Sequence, residues 1–234
     1  MCVITICKSK REDTENPKAM ATDNPDGTGV IYYKDGMPHY RKNIDIKEVL
    51  ELNKTLEFPY AFHFRFVTVG KNKLLTHPYE VSPKSELRME GSAEALLMHN
   101  GHWGAWDDTI LNYSVTTNKE PPGGDWSDSR AMAYLAGSIG PNVLKMLTGQ
   151  KIALFKRDKK ITIYGSGWEH GKEISYSNKN WETPRYNSQR DWRNYNYKEY
   201  NTQTGAWSER RGSSEGQGSL YEWNDVRKEV KRLT

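Results

Sequence analysis

The 234-residue chain has little cysteine, little net charge and no long apolar run, and each of these shortages excludes a class of protein. Its two cysteines, Cys2 and Cys7, lie on one short segment, where an extended strand would hold them too far apart for a disulfide. No run approaches the roughly 20 apolar residues that span a bilayer. The segment from Cys2 to Cys7 passes directly into charged sequence, unlike a signal peptide. We therefore expect a protein of a reducing, cytoplasmic setting without a membrane segment.

The charge balance argues against a nucleic-acid-binding protein. With 34 basic and 30 acidic residues, the net charge of +4 is too small to attract a polyanion strongly. The mean hydropathy of −0.88 is low because the last fifth of the chain is rich in Asn, Gln, Ser, Tyr and Arg. Without that part, the composition is typical of an ordinary globular domain.

The hydrophobic pattern predicts an α+β domain over residues 1–180. Predicted strands cover 2–7, 30–33, 61–69, 94–98, 152–155 and 161–164, and an extended piece runs from Leu74 to Pro78. Predicted helices cover 44–56, begin at Ser127 or Asp128, and begin again at Pro141. The polar segment 11–28 is predicted to be turns and loop.

Residues 181–234 are predicted to form a flexible polar and aromatic tail with a short exposed helix at 221–233. Basic residues alternate there with Trp181, Trp192, Trp207 and Trp223. Such a pattern can stack on single-stranded nucleic acid, fold onto a protein partner, or pack back on the domain. Acidic residues dilute the positive charge, which favours docking to a protein, or packing, over nucleic acid.

Cysteine in the second position becomes chemically important if Met1 is removed, as aminopeptidases do when the next side chain is small. Cys2 would then carry both a thiol and a free α-amine with a pKa of about 7.7–8.0. That amine could accept the thiol proton, as in enzymes with N-terminal nucleophiles. The alternative is that Cys2, like Cys7, is a small core residue.

Three other positions fit an enzyme that attacks a carbonyl. The side-chain amide of Asn100 next to the Gly101 N–H could form an oxyanion hole, or the pair could be a common polar turn. Arg65, in an aromatic strand, requires a carboxylate from the protein or from a ligand. Asp128 could cap the predicted helix or bind an ammonium group.

Taken together, the motifs and their order resemble the class II glutamine amidotransferase domain of the N-terminal-nucleophile hydrolase superfamily, in its stand-alone form. They are Cys2, Asn24-x-Asp26-Gly27-x-Gly29, Arg65-x-x-Thr68-x-Gly70, His77-Pro78, His99-Asn100-Gly101 and Ser127-Asp128-Ser129. Gly165-Ser166-Gly167-Trp168 and Tyr176-Ser177-Asn178 are similar to the end of that domain. The resemblance covers about residues 2–180.

The resemblance implies a four-layer αββα sandwich and a specific reaction. Cys2 would attack the carboxamide carbon of glutamine, release ammonia and form a γ-glutamyl thioester, which water would hydrolyse. Asn100 and the Gly101 N–H would hold the oxyanion.

The resemblance also implies how the substrate is bound. Arg65 would bind its α-carboxylate and Asp128 its α-ammonium, while Thr68 and His77 would shape the pocket. It implies no cofactor, and four histidines lack metal-ligand spacing: His39, His63, His102 and His170.

Several positions depart from the family pattern, and the ammonia acceptor is not specified. Thr22-Asp23-Asn24 stands where many members have an Arg, Val69 where a His is frequent, and Arg130 where an acidic residue is frequent. The polar C-terminal part is too short for a synthetase domain. Ammonia would therefore pass to a separate synthetase. The alternatives are a hydrolase of another γ-glutamyl amide and an inactive binding module of the same fold.

Overall fold

Short strands and a few helices are distributed along the chain in a computed structural model that describes residues 2–67 and 72–183, and the backbone of 196–201 and 206–211. The strands are β1 (Val3–Cys7), β2 (Thr28–Lys34), β3 (Met37–Ile44), β4 (Tyr60–Phe64), β5 (Tyr79–Glu80), β6 (Glu90–Ser92), β7 (Ala95–Asn100), β8 (Lys151–Lys156), β9 (Lys160–Tyr164), β10 (Glu169–His170), β11 (Ile174–Tyr176), β12 (Asn196–Asn201) and β13 (Ala206–Arg211). The α-helices are α1 (Glu15–Asp23), α2 (Ile46–Thr55), α3 (Trp106–Thr117) and α4 (Asp128–Ile139). Single 3₁₀ segments lie at Lys73–Leu75, Pro141–Met146 and Asn180–Glu182.

The strands form two main antiparallel sheets and one separate hairpin. The first sheet has seven strands in the order β10-β11-β1-β4-β2-β3-β6, and the second has four in the order β5-β7-β8-β9. Strands β12 and β13 pair only with each other among the described residues. Antiparallel sheets combined with helices confirm the predicted α+β class.

Strand β1 lies inside the first sheet, and all five of its residues are buried. Side chains alternate across a strand, so Val3 and Cys7 pack toward α1 and α2, whereas Ile4 and Ile6 pack toward the second sheet. Neighbours β11 and β4 satisfy its backbone on both sides. Cys2, which directly precedes β1, is therefore attached to one of the most constrained strands of the fold.

Three apolar clusters connect the layers. The first joins α1 and α2 to the first sheet, and the second joins the two sheets through residues such as Met98 and Phe155. The third packs the opposite face of the second sheet, with Leu97 and Leu154, against Met132 of α4. Burial on both faces explains why the central strands β1, β4, β7 and β8 are mostly apolar along their whole length.

Several predicted elements are found where the sequence placed them. Helix α2 matches the predicted segment, and the Asp45 side chain caps it by accepting a hydrogen bond from Glu48 N at 2.9 Å. The hairpin between β2 and β3 turns at Asp35 and Gly36, both with positive φ. Ser127 rather than Asp128 is the cap of α4. Each of these features is determined by residues that lie only a few positions apart in the sequence.

Other predictions were wrong. Residues 15–23 of the supposed loop form α1, in which Pro17 and Met20 are the buried side chains. Leu74 and Leu75 belong to a 3₁₀ segment instead of an extended piece. Helix α3 was missed because it buries only Ile110 and so has no apolar periodicity.

The predicted strand over residues 61–69 ends early, at Phe64. Beyond it, the backbone of Arg65 leaves β4 and pairs with the turn at residues 26 and 27. In the predicted tail, the strands β12 and β13 were not expected, and the predicted helix at 221–233 lies outside the described residues. The domain boundary at residue 180 stays a prediction.

Candidate active site

The thiol of Cys2 is held against the backbone just beyond β4. Its Sγ accepts a hydrogen bond from Phe66 N at 3.3 Å and donates to Phe66 O at 3.6 Å, and Asn178 Nδ2 donates to Cys2 O at 2.8 Å. Burial raises the pKa of the Cys2 thiol, while the Phe66 N–H and the charge of Arg65 act in the opposite direction. The charge of Asp128 also reaches the thiol and raises its pKa. A nearby base would be needed to form the thiolate at neutral pH.

Asn100 is joined to the strand that follows Cys2, although the two belong to different sheets. Asn100 ends β7 and is buried. The Ser177 hydroxyl accepts a hydrogen bond from Asn100 Nδ2 at 2.8 Å and another from Ile4 N at 2.9 Å. The structure thus brings the carboxamide close to the backbone of β1.

Gln150 holds the turn after Asn100 through hydrogen bonds to His99 and His102. Gln150 Nε2 donates to His102 O at 3.0 Å, so its Oε1 must be the atom 2.8 Å from His99 Nε2. His99 therefore carries a proton on Nε2, and its Nδ1 lies 2.9 Å from Ser129 Oγ. Burial lowers the pKa of His99. Gly101 has a φ of +159°, which side chains other than glycine's rarely adopt, and a Cβ there would lie 2.2 Å from Gln150 Oε1 and displace that amide.

Asp128 faces the same turn from the start of α4. Ser127 caps the helix, and Asp128 Oδ1 accepts from Ser129 N at 2.7 Å. Asp128 Oδ2 accepts from Trp103 N at 3.1 Å and lies 4.0 Å from Nδ1 of the exposed His102. The carboxylate is consequently oriented by backbone N–H groups and is partly open to solvent.

Arg65 is buried, and its backbone is paired with the Asp-Gly turn that the sequence motif contains. Arg65 N donates to Gly27 O at 2.8 Å, and Asp26 N donates to Arg65 O at 3.1 Å. Asp26 Oδ2 accepts from Val67 N at 2.8 Å. The Arg65 guanidinium donates to Asn72 O at 3.0 Å. The turn therefore supports the segment on which both Arg65 and the thiol contact lie.

His77 is a buried neutral ring next to this segment. It stacks on His63 with ring centroids 3.9 Å apart and meets Tyr79 edge-on at 5.1 Å. Burial lowers the pKa of His77 well below its ordinary value and that of His63 to about 3. Gly29 is required beside it, because a Cβ there would lie 1.8 Å from His77 O. Thr68 lies outside the described residues.

Arg130 was noted in the sequence only as a difference from the family that the chain resembles. It is fully buried and donates to the carbonyl oxygens of Ser85, Asp125 and Gly123. Its guanidinium carbon also lies 4.5 Å from the ring centroid of Trp126. Arg130 therefore holds the loop before α4, where an acidic side chain could not donate these bonds.

Gln150 and Ser177 were not predicted as site residues. Gln150 is a single polar residue before an apolar strand, and nothing in the sequence distinguishes it. Ser177 was noticed only as part of a motif at the end of the domain. Within 2–67 and 72–183, no group of three or more His, Cys, Asp or Glu is arranged to hold a metal ion. No helix in that part is long and apolar enough to cross a membrane.

The fold and site define a mixed α+β protein in which the Cys2 thiol contacts the backbone beyond β4 and the buried Asn100 carboxamide is linked through Ser177 to the strand that follows the thiol. No family model and no curated protein matches the chain. Among solved structures, it is similar to the glutamine phosphoribosylpyrophosphate (PRPP) amidotransferase from B. subtilis complexed with ADP and GMP. The identity is 17%, the TM-score 0.47, and the match covers 76% of this chain and 42% of that chain. The chain thus spans less than half of that structure.

Proposed function

We propose that this protein is an amide hydrolase of the class II glutamine amidotransferase type. Removal of Met1 would make Cys2 the N-terminal nucleophile. The observation that carries the proposal is the hydrogen bonding of Ser177 to both Ile4 N and Asn100 Nδ2, which brings an oxyanion donor to the strand of the thiol. The packing order of helices, sheet, sheet and helix supports the four-layer fold of N-terminal-nucleophile hydrolases.

The reaction follows from the groups present. The α-amine of Cys2 accepts the thiol proton, and the thiolate attacks the carboxamide carbon of glutamine. Asn100 Nδ2 and Gly101 N–H stabilise the oxyanion, and the amine returns the proton as the C–N bond breaks and ammonia leaves. Water then attacks the γ-glutamyl thioester, and glutamate and the free thiol are released. Without a base, burial would keep the thiol protonated.

Two groups whose charges reach the thiol account for substrate binding. Arg65 binds the α-carboxylate of glutamine and Asp128 binds its α-ammonium, since both charges act on the Cys2 thiol. His77 and Thr68 contribute to the pocket wall. Ammonia passes to a separate synthetase in the cytoplasm, and the C-terminal part of the chain docks that partner.

The first test is the intact mass of the purified protein before and after treatment with 6-diazo-5-oxo-norleucine, a glutamine-like electrophile. We expect loss of Met1 and one adduct that peptide mapping places on Cys2. Cys7 is the matched control, because it lies on the same strand and burial raises the pKa of its thiol to about 12. The Cys7→Ala variant should take the adduct as the natural chain does, and Cys2→Ser should not.

Each of the other outcomes contradicts a part of the proposal. A processed chain that takes no adduct excludes glutamine and leaves another γ-glutamyl amide, or an inactive module, to be tested with γ-glutamyl anilides. Retained Met1 without an adduct excludes the N-terminal nucleophile. An adduct on both cysteines would mean that the reagent detects thiols rather than a glutamine pocket.

A further inference from the structure

Ser177 lies at the junction between the first sheet and the end of β7. It directly follows β11, and its N–H donates to Ile4 O at 2.9 Å, while its hydroxyl accepts from Ile4 N at 2.9 Å. Both backbone polar groups of Ile4 are therefore bound by a single residue. The side chain of Ser177 is fully buried, so solvent does not compete for these bonds.

The second bond of this hydroxyl holds the Asn100 carboxamide. A hydroxyl oxygen can accept two hydrogen bonds, and here Ile4 N and Asn100 Nδ2 donate both. The carboxamide nitrogen has two hydrogens. One is used by Ser177, and the other is left to donate in a direction about 120° away. The Asn100 oxygen is turned away from Ser177.

The backbone of Ser177 and the side chain of Asn178 are also held by hydrogen bonds. Lys151 Nζ donates to Ser177 O at 2.5 Å and to Gly167 O at 2.6 Å. The next residue, Asn178, donates its side-chain N–H to Cys2 O at 2.8 Å. Two consecutive residues after β11 thus contact the nucleophile strand, and one of them also contacts the oxyanion donor.

We propose that Ser177 is a positioning residue that anchors the Asn100 carboxamide beside β1, in the place from which it stabilises the substrate oxyanion. The proposal rests on the function proposed above. Without the hydroxyl, the carboxamide loses its hydrogen-bonded link to β1 and can rotate away from the developing negative charge. The oxyanion forms only in the transition state. The loss therefore falls on kcat and leaves KM, which depends on Arg65 and Asp128, nearly unchanged.

The chain provides a matched control two residues away. Ser175 is also fully buried, lies on the same strand and points to the same face, but its hydroxyl has no hydrogen-bond partner among the described residues. We expect Ser177→Ala to lower kcat for glutamine hydrolysis by about 10- to 100-fold. Ser175→Ala should leave both kcat and KM within about twofold of the natural chain, since no bond is removed.

A second readout does not depend on activity. In ¹H–¹⁵N spectra, the two Asn100 side-chain N–H signals should be separate and slow to exchange in the natural chain and in Ser175→Ala. In Ser177→Ala they should exchange faster. If Ser177→Ala does not fold, Ser177→Cys compared with Ser175→Cys replaces it. Sulfur accepts hydrogen bonds weakly, so kcat should fall only in the first of these two variants.

The outcomes separate the two proposals. A natural chain in which Cys2 takes no glutamine-like adduct overturns the proposed function itself. A natural chain that reacts at Cys2, together with equal kcat values for Ser177→Ala and Ser175→Ala, overturns only the role of Ser177. A Ser177→Ala variant that loses affinity for glutamine instead of kcat also contradicts it, since that would be a general disturbance of the pocket.

Discussion

At the scale of single residues, burial acts strongly on ionisable side chains away from the thiol as well. Lys42 on β3 is buried, donates from Nζ to Leu74 O at 3.1 Å, and lies 4.6 Å from the ring centroid of Tyr79. Burial lowers its pKa to about 7 from an ordinary value of 10.5, against the opposing effect of Glu80. Near neutral pH the amine is thus only partly protonated, next to Arg65 and Arg130, whose charges lower its pKa further.

We predict that Lys42 makes the stability of the protein depend on pH. Between about pH 7 and 10.5 the unfolded chain holds a proton on Lys42 that the folded chain has lost. The free energy of unfolding therefore rises with pH in this window, by up to about 1.4 kcal/mol per pH unit. The Lys42→Met variant should lack this slope in urea titrations.

Lys47, an exposed lysine on the neighbouring helix α2, is the control for that measurement. Its Lys47→Met variant should retain the slope of the natural chain, because this substitution leaves Lys42 and its surroundings unchanged. Equal slopes in the natural chain and in Lys42→Met would show that Lys42 is charged in the folded protein, contrary to the prediction.

Among the elements, helix α4 is positioned by the close approach of its backbone at Gly137 to the backbone of Ser82. A Cβ on Gly137 would lie 2.4 Å from the backbone of Ser82, closer than any real contact. The helix also supports the site, since it begins with the Ser127 cap and Asp128 and carries Ser129 and Arg130. Its distance from the 82–85 segment therefore affects the orientation of the carboxylate.

We predict that Gly137→Ala destabilises the protein although alanine favours helices. Alanine is worth about 1 kcal/mol over glycine in an exposed helix. Here the new methyl group would push α4 away from Ser82, which we expect to lower the free energy of unfolding by about 1–3 kcal/mol. The exposed Asn112 of α3 is the control, and Asn112→Ala should raise it by a few tenths of a kcal/mol. A stabilised Gly137→Ala variant would show that the contact relaxes without cost.

At the scale of the whole molecule, the apolar clusters connect residues from both ends of the described part. Trp181 is buried in the same cluster as Val3 and Met20, and its ring lies 5.6 Å from that of Tyr176. It belongs to the 3₁₀ segment Asn180–Glu182, which the predicted domain boundary at residue 180 would divide. The strand that carries Cys2 is therefore covered in part by residues about 180 positions later.

We predict that the end of the folded unit lies after Trp181. A chain ending at residue 183 should have a free energy of unfolding about 3–5 kcal/mol higher than one ending at residue 179, because the shorter chain lacks the buried indole. Urea titrations of the two chains would measure this difference directly. Equal stabilities would place the boundary earlier and show that Trp181 adds nothing to the core.

Much of the local structure could be predicted from the sequence. The cap at Asp45, the Asp35-Gly36 turn and the alternation along β1 each depend on residues a few positions apart. Helices α1 and α3 could not be predicted in this way, because each buries so few side chains that no apolar period remains. The motif order indicated candidate residues for a site but not their contacts.

The tertiary structure alone decided which side chains meet. Ser177 contacts residues 173 and 77 positions away, and the thiol of Cys2 contacts a backbone 64 positions away. No local pattern encodes such contacts, because they arise from the packing of two sheets against each other. Short-range patterns in the sequence indicated several local elements and the chemical groups available, whereas the packing of the two sheets brought Ser177, Ile4 and Asn100 together.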